Sequence, residues 1–579
     1  MRFVYLLAIL ALAALANYAV WRAPNLPVDI KPPAETKIAS VSFAPFRDGQ
    51  SPLTQTYPMP AEIAEDMRAI AGQVSGIRTY TSLEGMQVVP QLAEKHGLKV
   101  SMGAWLSKKP EFNEAEIASL IDLANRYPDT ISRVIVGNEV LLRQELTPQA
   151  LGGYIDRVRA AVRQPVAYAD VWEFWLKYPE MAEHVDIVAI HLLPYWEDEP
   201  TSVAGAMARI EQAYDAIAQR FPGKTIMVAE TGWPTAGRTR SAATAGLVEK
   251  ATFVADFMRL AERRGFDYNI IEAFDQAWKQ KLEGTVGGHW GLYDSARQPK
   301  FTLGKPVEAN PRWPMLFAAS TGLAAFLLLG LAVLRGPDAP GRALALTALT
   351  FALCDMLVFG VERLLIWKAY PLDLAFGGAV LALETVLLLA TLGAARRIMA
   401  VRALEVESDR PLLETLGFDT LAQTGLTAAA ALGVVAVIWS LLLIFDGRYR
   451  DFPNHHLLLV AVALLALGRM RAAKLPYGAP KAAAYALTTL FRPVLAVADF
   501  PQSKGLEKLI GWLLVIGAGL TLFAEGFAPV ESIIGGQLPV REALHEVDWT
   551  RPNAQAWLWA AVQAALAVPF LAAARLGRR

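Results

Sequence analysis

Between Lys37 and Phe301, short apolar runs alternate with stretches of helical spacing. The runs are KIASVSFAPF from Lys37, GIRTYTS from Gly76, KVSMGAWL from Lys99, RVIVGNE from Arg133, PVAYADVW from Pro165, DIVAIHLLPYW from Asp186, TIMVAETGW from Thr225 and YNIIEAFDQAW from Tyr268. Most are nearly continuous in apolar residues, as strands covered on both faces are. Helical spacing fills Ala61–Ala71, Gly85–His96, Glu114–Arg126, Thr147–Val162, Val203–Phe221 and Ala243–Arg264. Strand alternating with helix, eight strands in all, predicts an α/β fold, a (β/α)₈ TIM barrel. An open doubly wound sheet is the competing architecture. No glycine-rich phosphate loop opens any of these helices, which weighs against it.

Outside this region the pattern changes. Phe3–Val20 is an apolar run flanked by Arg2 and by Trp21-Arg22, a signal peptide or a signal anchor, with Ala14-Leu15-Ala16 as a possible cleavage site. From Trp313 onward, apolar runs long enough to cross a bilayer dominate: Trp313–Leu334, Arg342–Leu365, Leu374–Ala395, Thr420–Phe445, His456–Gly468, Ile510–Phe527 and Gln555–Ala574, the fifth being short. The chain therefore divides into an N-terminal signal segment (1–22), an exported α/β domain (37–311) and a polytopic α-helical membrane domain of about seven helices (312–579). Basic residues cluster on alternate sides of the spans: Arg335 and Arg342, then Arg396, Arg397, Arg402 and Arg410, then Arg469, Arg471, Lys474 and Lys481, then Arg575, Arg578 and Arg579. Positive charge stays inside, so these sides are cytoplasmic and the domain before Trp313 lies outside. Asp355 and Glu384 sit deep in apolar runs, where acids are costly. Pairing with each other or with Arg363 is the plain expectation; a lipid, proton or glucan path is the functional one.

Composition then narrows the chemistry. The 579 residues carry 55 basic and 55 acidic side chains, without the basic excess that bulk nucleic-acid binding requires. The single cysteine, Cys354, excludes an intrachain disulfide and a CxxC site. The seven histidines show no metal-binding spacing, so no metal and no cofactor is expected. Two strands end abruptly in an acid, VIVGNEV at Glu139 and TIMVAETGWPT at Glu230. By strand count these close the fourth and seventh strands. Strand C-termini line the mouth of such a barrel, so the two carboxylates face one pocket. An ion pair or a helix cap is the structural alternative. A facing pair of acids suits glycoside hydrolysis, one protonating the leaving oxygen and the other attacking carbon or activating water. Trp105, Trp172, Trp175, Trp196, Trp233, Trp278 and Trp290 lie at or after strand ends, where flat sugar faces stack, although part of this set belongs to the core.

These segments resemble glycoside hydrolase family 17, the β-1,3-glucanases and β-1,3-glucan transglycosylases. RVIVGNEV and MVAETGWPTAG match its two signature segments, and GIRTYTS, VDIVAIHLLPYW and AFDQAWK…HWGLYDSARQPKF match three supporting ones, over about Lys37 to Phe301. The resemblance implies that Glu139 is the general acid/base and Glu230 the nucleophile of a retaining mechanism. It implies that Asn138 bonds the sugar 2-hydroxyl and that Tyr80 stands near the nucleophile. Tyr195 and Trp233 would shape the cleft, with Trp172 among the stacking rings, and Trp278 with Lys279 would form the far wall. Glu139 is expected to be held protonated by burial and by the neighbouring charge. Gln276 departs from the family, many members having an acid there; Glu283 or Asp275 would compensate. The layout is similar to that of bacterial envelope proteins linked to β-(1,3)/(1,6)-glucan synthesis. That implies an inner-membrane protein with its barrel in the periplasm, acting on β-glucan, with a lipid bilayer and a glucan synthase as partners. An endo-β-1,3-glucanase and a glucan-binding transport protein are the alternatives.

Overall fold

A computed structural model describes residues 2–332, 340–368, 370–404, 412–445, 451–473, 504–534 and 553–576. It divides into two compact units, Pro27–Ala309, and Met1–Leu26 together with Asn310–Arg579.

The first unit is a closed barrel of eight parallel strands in chain order. They are β1 (Val41–Ser42), β2 (Gly76–Arg78), β3 (Lys99–Ala104), β4 (Ile131–Asn138), β5 (Val166–Val171), β6 (Ile187–His191), β7 (Thr225–Thr231) and β8 (Asp267–Ile270). Closure is made by Val41 of β1 pairing with Ile270 of β8. After an N-terminal helix α1 (Arg2–Arg22), which belongs to the other unit, the barrel's helices are α2 (Pro60–Ile70), α3 (Val89–Lys95), α4 (Pro110–Arg126), α5 (Pro148–Ala161), α6 (Trp172–Lys177), α7 (Val203–Arg220), α8 (Leu247–Arg264) and α9 (Gln280–Gly287). Pro60, Pro110 and Pro148 each occupy the first helical position, where the missing N–H costs nothing. The Thr147 hydroxyl caps α5 by accepting from the Ala150 N–H at 3.2 Å.

Two helices, α6 and α9, were not legible as periodic stretches. Trp172 opens α6 instead of ending the fifth strand. The first and last strands are also shorter than their apolar runs: β1 takes only the middle of its run, and β8 only the first three residues of its own, Tyr268–Ile270.

Strand side chains divide between two cores. Outward residues such as Val134, Val136, Val188 and Val228 pack under the helices. Inward, β4 to β7 present Ile135, Ala167, Ala169, Ile187, Ala189, Met227 and Ala229. Four alanines in that set leave the interior too empty for an ordinary layer of branched side chains. The vacated space bears on the site below.

The second unit is helical: α1, α10 (Trp313–Ala332), α11 (Pro340–Trp367), α12 (Pro371–Leu404), α13 (Leu412–Phe445), α14 (Asn454–Ala473), α15 (Lys504–Ile534) and α16 (Ala554–Leu576). Seven of these are long and apolar enough to cross a membrane: α1 and six of the seven expected after Trp313. The fifth expected span is the shorter apolar helix Asn454–Met470. The pairing foreseen for Asp355 and Glu384 is corrected. Asp355 Oδ1 accepts from Trp21 Nε1 of α1 at 2.9 Å, and Glu384 Oε1 lies 2.6 Å from His456 Nδ1 of α14. Neither is paired with the other or with Arg363, whose guanidinium stands 3.8 Å from Glu362. Helix α1 also bonds α10 through Asn17 Nδ2, which donates to Ser320 Oγ at 3.2 Å and Thr321 Oγ1 at 3.1 Å. Of the basic residues used for orientation, Arg335, Arg410, Lys474, Lys481, Arg578 and Arg579 lie outside the described residues.

Candidate active site

The site is assembled at the C-terminal ends of the strands. Glu139 directly follows β4, and its backbone is left-handed, with φ +50°. Gly137 before it has φ +90°, and a Cβ there would stand 2.8 Å from the Val140 side chain, so only glycine fits. A non-glycine residue held at positive φ is strained and persists where the surroundings fix it. Here the Glu139 N–H is tied to the Ala169 carbonyl of β5 at 2.8 Å. This irregularity turns the Glu139 carboxylate off the strand and into the mouth. Glu230 needs no such device, since it lies within β7 and is buried.

Arg78 joins the elements. It projects from β2 and is buried. Its Nη1 donates to the Ala229 carbonyl at 2.7 Å and to Glu230 Oε1 at 3.0 Å, and its Nη2 donates to Asn138 Oδ1 at 2.6 Å. An arginine can reach from β2 to β7 and β4 only through an interior that the alanines keep open. Asn269 of β8 completes the floor, donating to Ser42 Oγ at 2.8 Å and to the Ala229 carbonyl at 3.1 Å. Asn138 is fixed at both ends. Its carbonyl accepts from Arg143 Nη2 at 2.8 Å, and Arg78 occupies Oδ1, which leaves the amide NH₂ as the donor end.

His191, the last residue of β6, lies between the two acids. Its Nδ1 is 2.8 Å from Glu139 Oε1 and its Nε2 is 3.5 Å from Glu230 Oε1. One ligand atom from each of the three residues lies within 4.8 Å of the others, a spacing that on distance alone could hold a cation. His191 hydrogen-bonds Glu139 through Nδ1 and stands beside Glu230 through Nε2 without a hydrogen bond to it. The two carboxylates address different ring nitrogens of one imidazole. The histidine also corrects the expected ionisation. Burial pushes the Glu139 carboxyl up, but the His191 hydrogen bond and charge, with the charges of Arg143 and Arg78, outweigh burial and hold it below the usual carboxylate range.

The far wall follows β8. Lys279 donates to Glu272, and its ammonium lies 5.8 Å from the Tyr80 ring centre and 5.8 Å from that of Trp278. Burial raises the Glu272 carboxyl to about 7, against the pull of Lys279. Glu283 is likewise raised, first by burial, and it feels the charges of both Glu139 and Glu230. Glu283 thus stands near the acid pair, whereas Asp275 is held elsewhere, by Lys300 at 2.6 Å and the Gly291 N–H at 2.9 Å. Gln276 has a structural use for its amide. It donates to the Ala44 carbonyl and accepts from Trp278 Nε1 at 2.9 Å, which a carboxylate could not do on both sides.

The aromatic expectations separate. Tyr80 is half-buried, and its hydroxyl donates to Ser42 Oγ at 3.0 Å. Trp278 and Trp172 are also half-buried, Trp172 under the Arg209 guanidinium. The cleft role expected of Tyr195 and Trp233 is corrected. Both are 0% exposed, packed edge to face with ring centres 5.6 Å apart. The Tyr195 hydroxyl donates to the Arg238 carbonyl, and Trp233 Nε1 donates to the Thr244 carbonyl at 2.8 Å. These rings support the site from behind and present no free face to a sugar.

Arg78, His191 and Glu272 were absent from the sequence reading of the site. Glu272 carried the signal that exposed Glu139, an acid ending an apolar run. Arg78 lies in the GIRTYTS segment, two residues before Tyr80. His191 carried no signal of its own.

A parallel barrel that brings two glutamates together at the C-terminal ends of its strands has an arrangement suited to glycoside hydrolysis. Residues 40–291 match the BtgE/BtgC glycoside hydrolase domain. Among curated relatives, a probable glucan endo-1,3-β-glucosidase of Aspergillus clavatus is 29% identical over 289 residues, covering 44% of this chain and 41% of the relative. A glucan 1,3-β-glucosidase of Schizosaccharomyces pombe is 27% identical over 320 residues, covering 52% of this chain and 97% of the relative. Among solved structures, a family 17 β-1,3-glucanosyltransferase of Rhizomucor miehei aligns at 24% identity and a TM-score of 0.41, covering 46% of this chain and 96% of that one.

Proposed function

We propose that the chain is a membrane-tethered, retaining β-glucan transglycosylase acting on β-1,3-linked glucan. The observation that carries this reading is the spacing of the acids, with an oxygen of Glu139, an oxygen of Glu230 and a nitrogen of His191 all within 4.8 Å. Retaining enzymes keep their carboxyl groups about 5–5.5 Å apart, whereas inverting ones leave about 6.5–9.5 Å for a water. The names of the relatives supply the substrate class, β-1,3-glucan.

In this mechanism Glu230 attacks the anomeric carbon as the glycosidic C–O bond breaks, and Glu139 gives a proton to the leaving oxygen. The covalent glycosyl-enzyme then meets a sugar hydroxyl. Glu139 takes the hydroxyl proton, the new C–O bond forms, and Glu230 leaves as a carboxylate. Asn138 offers its NH₂ to the 2-hydroxyl, while Tyr80, Lys279, Trp278 and Trp172 form the sugar-facing walls. Tethering favours transfer over hydrolysis because it concentrates acceptor ends near the intermediate. Full-length protein in nanodiscs with laminari-oligosaccharides should yield products longer than the donor by mass spectrometry. Shortened products alone, even at high acceptor concentration, would establish the endo-glucanase reading in its place.

The same proposal sets the protein in a bacterial inner membrane with the barrel on the periplasmic side, supplied with glucan by a synthase. Its domains are those of the sequence reading, 1–22, 37–311 and 312–579. Reporter fusions after Arg397 should be cytoplasmic and fusions near Tyr370 exported. An exported Arg397 fusion would overturn the orientation.

A further inference from the structure

His191 is 2% exposed, spans both acids, and leaves Nε2 with no hydrogen-bonding partner among the described residues. An unpartnered buried polar atom is costly. A residue serving only to orient Glu139 needs Nδ1 and has no use for a second nitrogen turned toward Glu230. Building on the retaining mechanism above, we propose that His191 stores, between turnovers, the proton that Glu139 delivers to the leaving oxygen. The imidazole and Glu139 then act as one donor, with His191 the positioning residue behind the acid.

The steps balance. As Glu230 bonds to the anomeric carbon, the electron pair of the breaking C–O bond goes to the leaving oxygen. That oxygen takes a proton from Glu139, and Glu139 takes the Nδ1 proton of His191. The products are a glycosyl ester at Glu230, a neutral imidazole and a Glu139 carboxylate ready to act as base. In the second step the acceptor hydroxyl proton returns to Glu139 and on to His191 while Glu230 regains its charge.

Electrostatics times the transfer. His191 Nε2 lies 3.5 Å from Glu230 Oε1, and esterification removes the Glu230 charge at the moment when the proton is required. The other charged groups acting on this assembly are Asp170 of β5, which interacts with both His191 and Glu139, Arg78 and Arg143, which favour a negative Glu139, and Glu283, which opposes it. None of these is consumed in the cycle.

The test uses full-length protein in detergent. His191→Asn keeps an N–H near the Nδ1 position but cannot titrate. With laminari-oligosaccharide donors kcat should fall by about tenfold or more, and the alkaline limb of the kcat/KM profile should move to lower pH. With a dinitrophenyl donor, whose leaving group needs no proton, kcat should fall by less than about threefold. Equal losses on both donors with an unmoved pH limb would make His191 a spacer and overturn the proposal.

A second measurement requires no variant. Trapping wild-type protein near neutral pH with a dinitrophenyl 2-deoxy-2-fluoro-β-laminaribioside esterifies Glu230 without consuming a proton. About one proton per site should then appear in weakly buffered solution, because the pair no longer holds it. No release would overturn the proposal. A wild-type protein that cleaves neither donor overturns this inference together with the mechanism it rests on.

Discussion

Glu230→Ala should abolish cleavage of β-1,3-glucan, with kcat/KM lower by at least about a thousandfold, about 4 kcal/mol of transition-state stabilisation. The loss should be the same for natural and activated donors, because without the carboxylate no glycosyl-enzyme forms from either. Azide should restore turnover on a dinitrophenyl donor and give a product of inverted configuration, since a small anion enters the space that the side chain leaves. The fold should survive, because Arg78 keeps its bonds to the Ala229 carbonyl and Asn138 when Glu230 is truncated. Near-normal activity in Glu230→Ala, measured on protein with unchanged melting behaviour, would remove Glu230 from the mechanism.

Arg78→Leu should harm both stability and activity. The guanidinium is 1% exposed and is the cation paired with a nearly buried Glu230. Removing one partner of such a pair costs about 3–5 kcal/mol, chiefly because the other charge stays buried without compensation. Asn138 would lose the bond that sets its amide, so binding of the sugar 2-hydroxyl should weaken as well. Arg78→Lys should recover little, because an ammonium is a point charge and cannot serve Glu230, Ala229 and Asn138 in one plane. Urea unfolding followed by tryptophan fluorescence, with kcat/KM on laminari-oligosaccharides, measures both effects. An Arg78→Leu chain as stable and as active as its parent would contradict the description of the barrel interior as a space kept open for this residue.

The two glutamates were legible in the sequence because each interrupts an apolar run, and an unpaired acid at a buried strand tip has few structural explanations. The barrel was legible for a related reason: parallel strands covered on both faces read as unbroken apolar segments separated by amphipathic ones. What stayed hidden depends on closure in three dimensions. His191 lies in an apolar strand far along the chain from both acids, and only the adjacency of β6 and β7 brings it to Glu230. Arg78 looked like one polar residue in a short strand, and its reach became visible with the alanines opposite. Trp233 and Tyr195 show the converse limit. Their positions after strand ends are those of cleft residues, but nothing in the order of residues tells whether a ring turns toward the mouth or under the loops. The raised Glu139 carboxyl was expected from burial and like charge alone; the histidine reverses the balance. The long apolar helices were legible from length and hydropathy, whereas the partners of Asp355 and Glu384 required helix packing. Trp21 of α1 and His456 of α14 lie far away in sequence.

If Glu139 and Glu230 act together through a covalent intermediate, the first product keeps the configuration of the donor. Proton NMR of the anomeric region, recorded on full-length protein acting on laminari-oligosaccharides before mutarotation, should show the β-anomer as the first-formed product, whether water or sugar is the acceptor. First appearance of the α-anomer would mean direct displacement by water and no glycosyl-enzyme at Glu230.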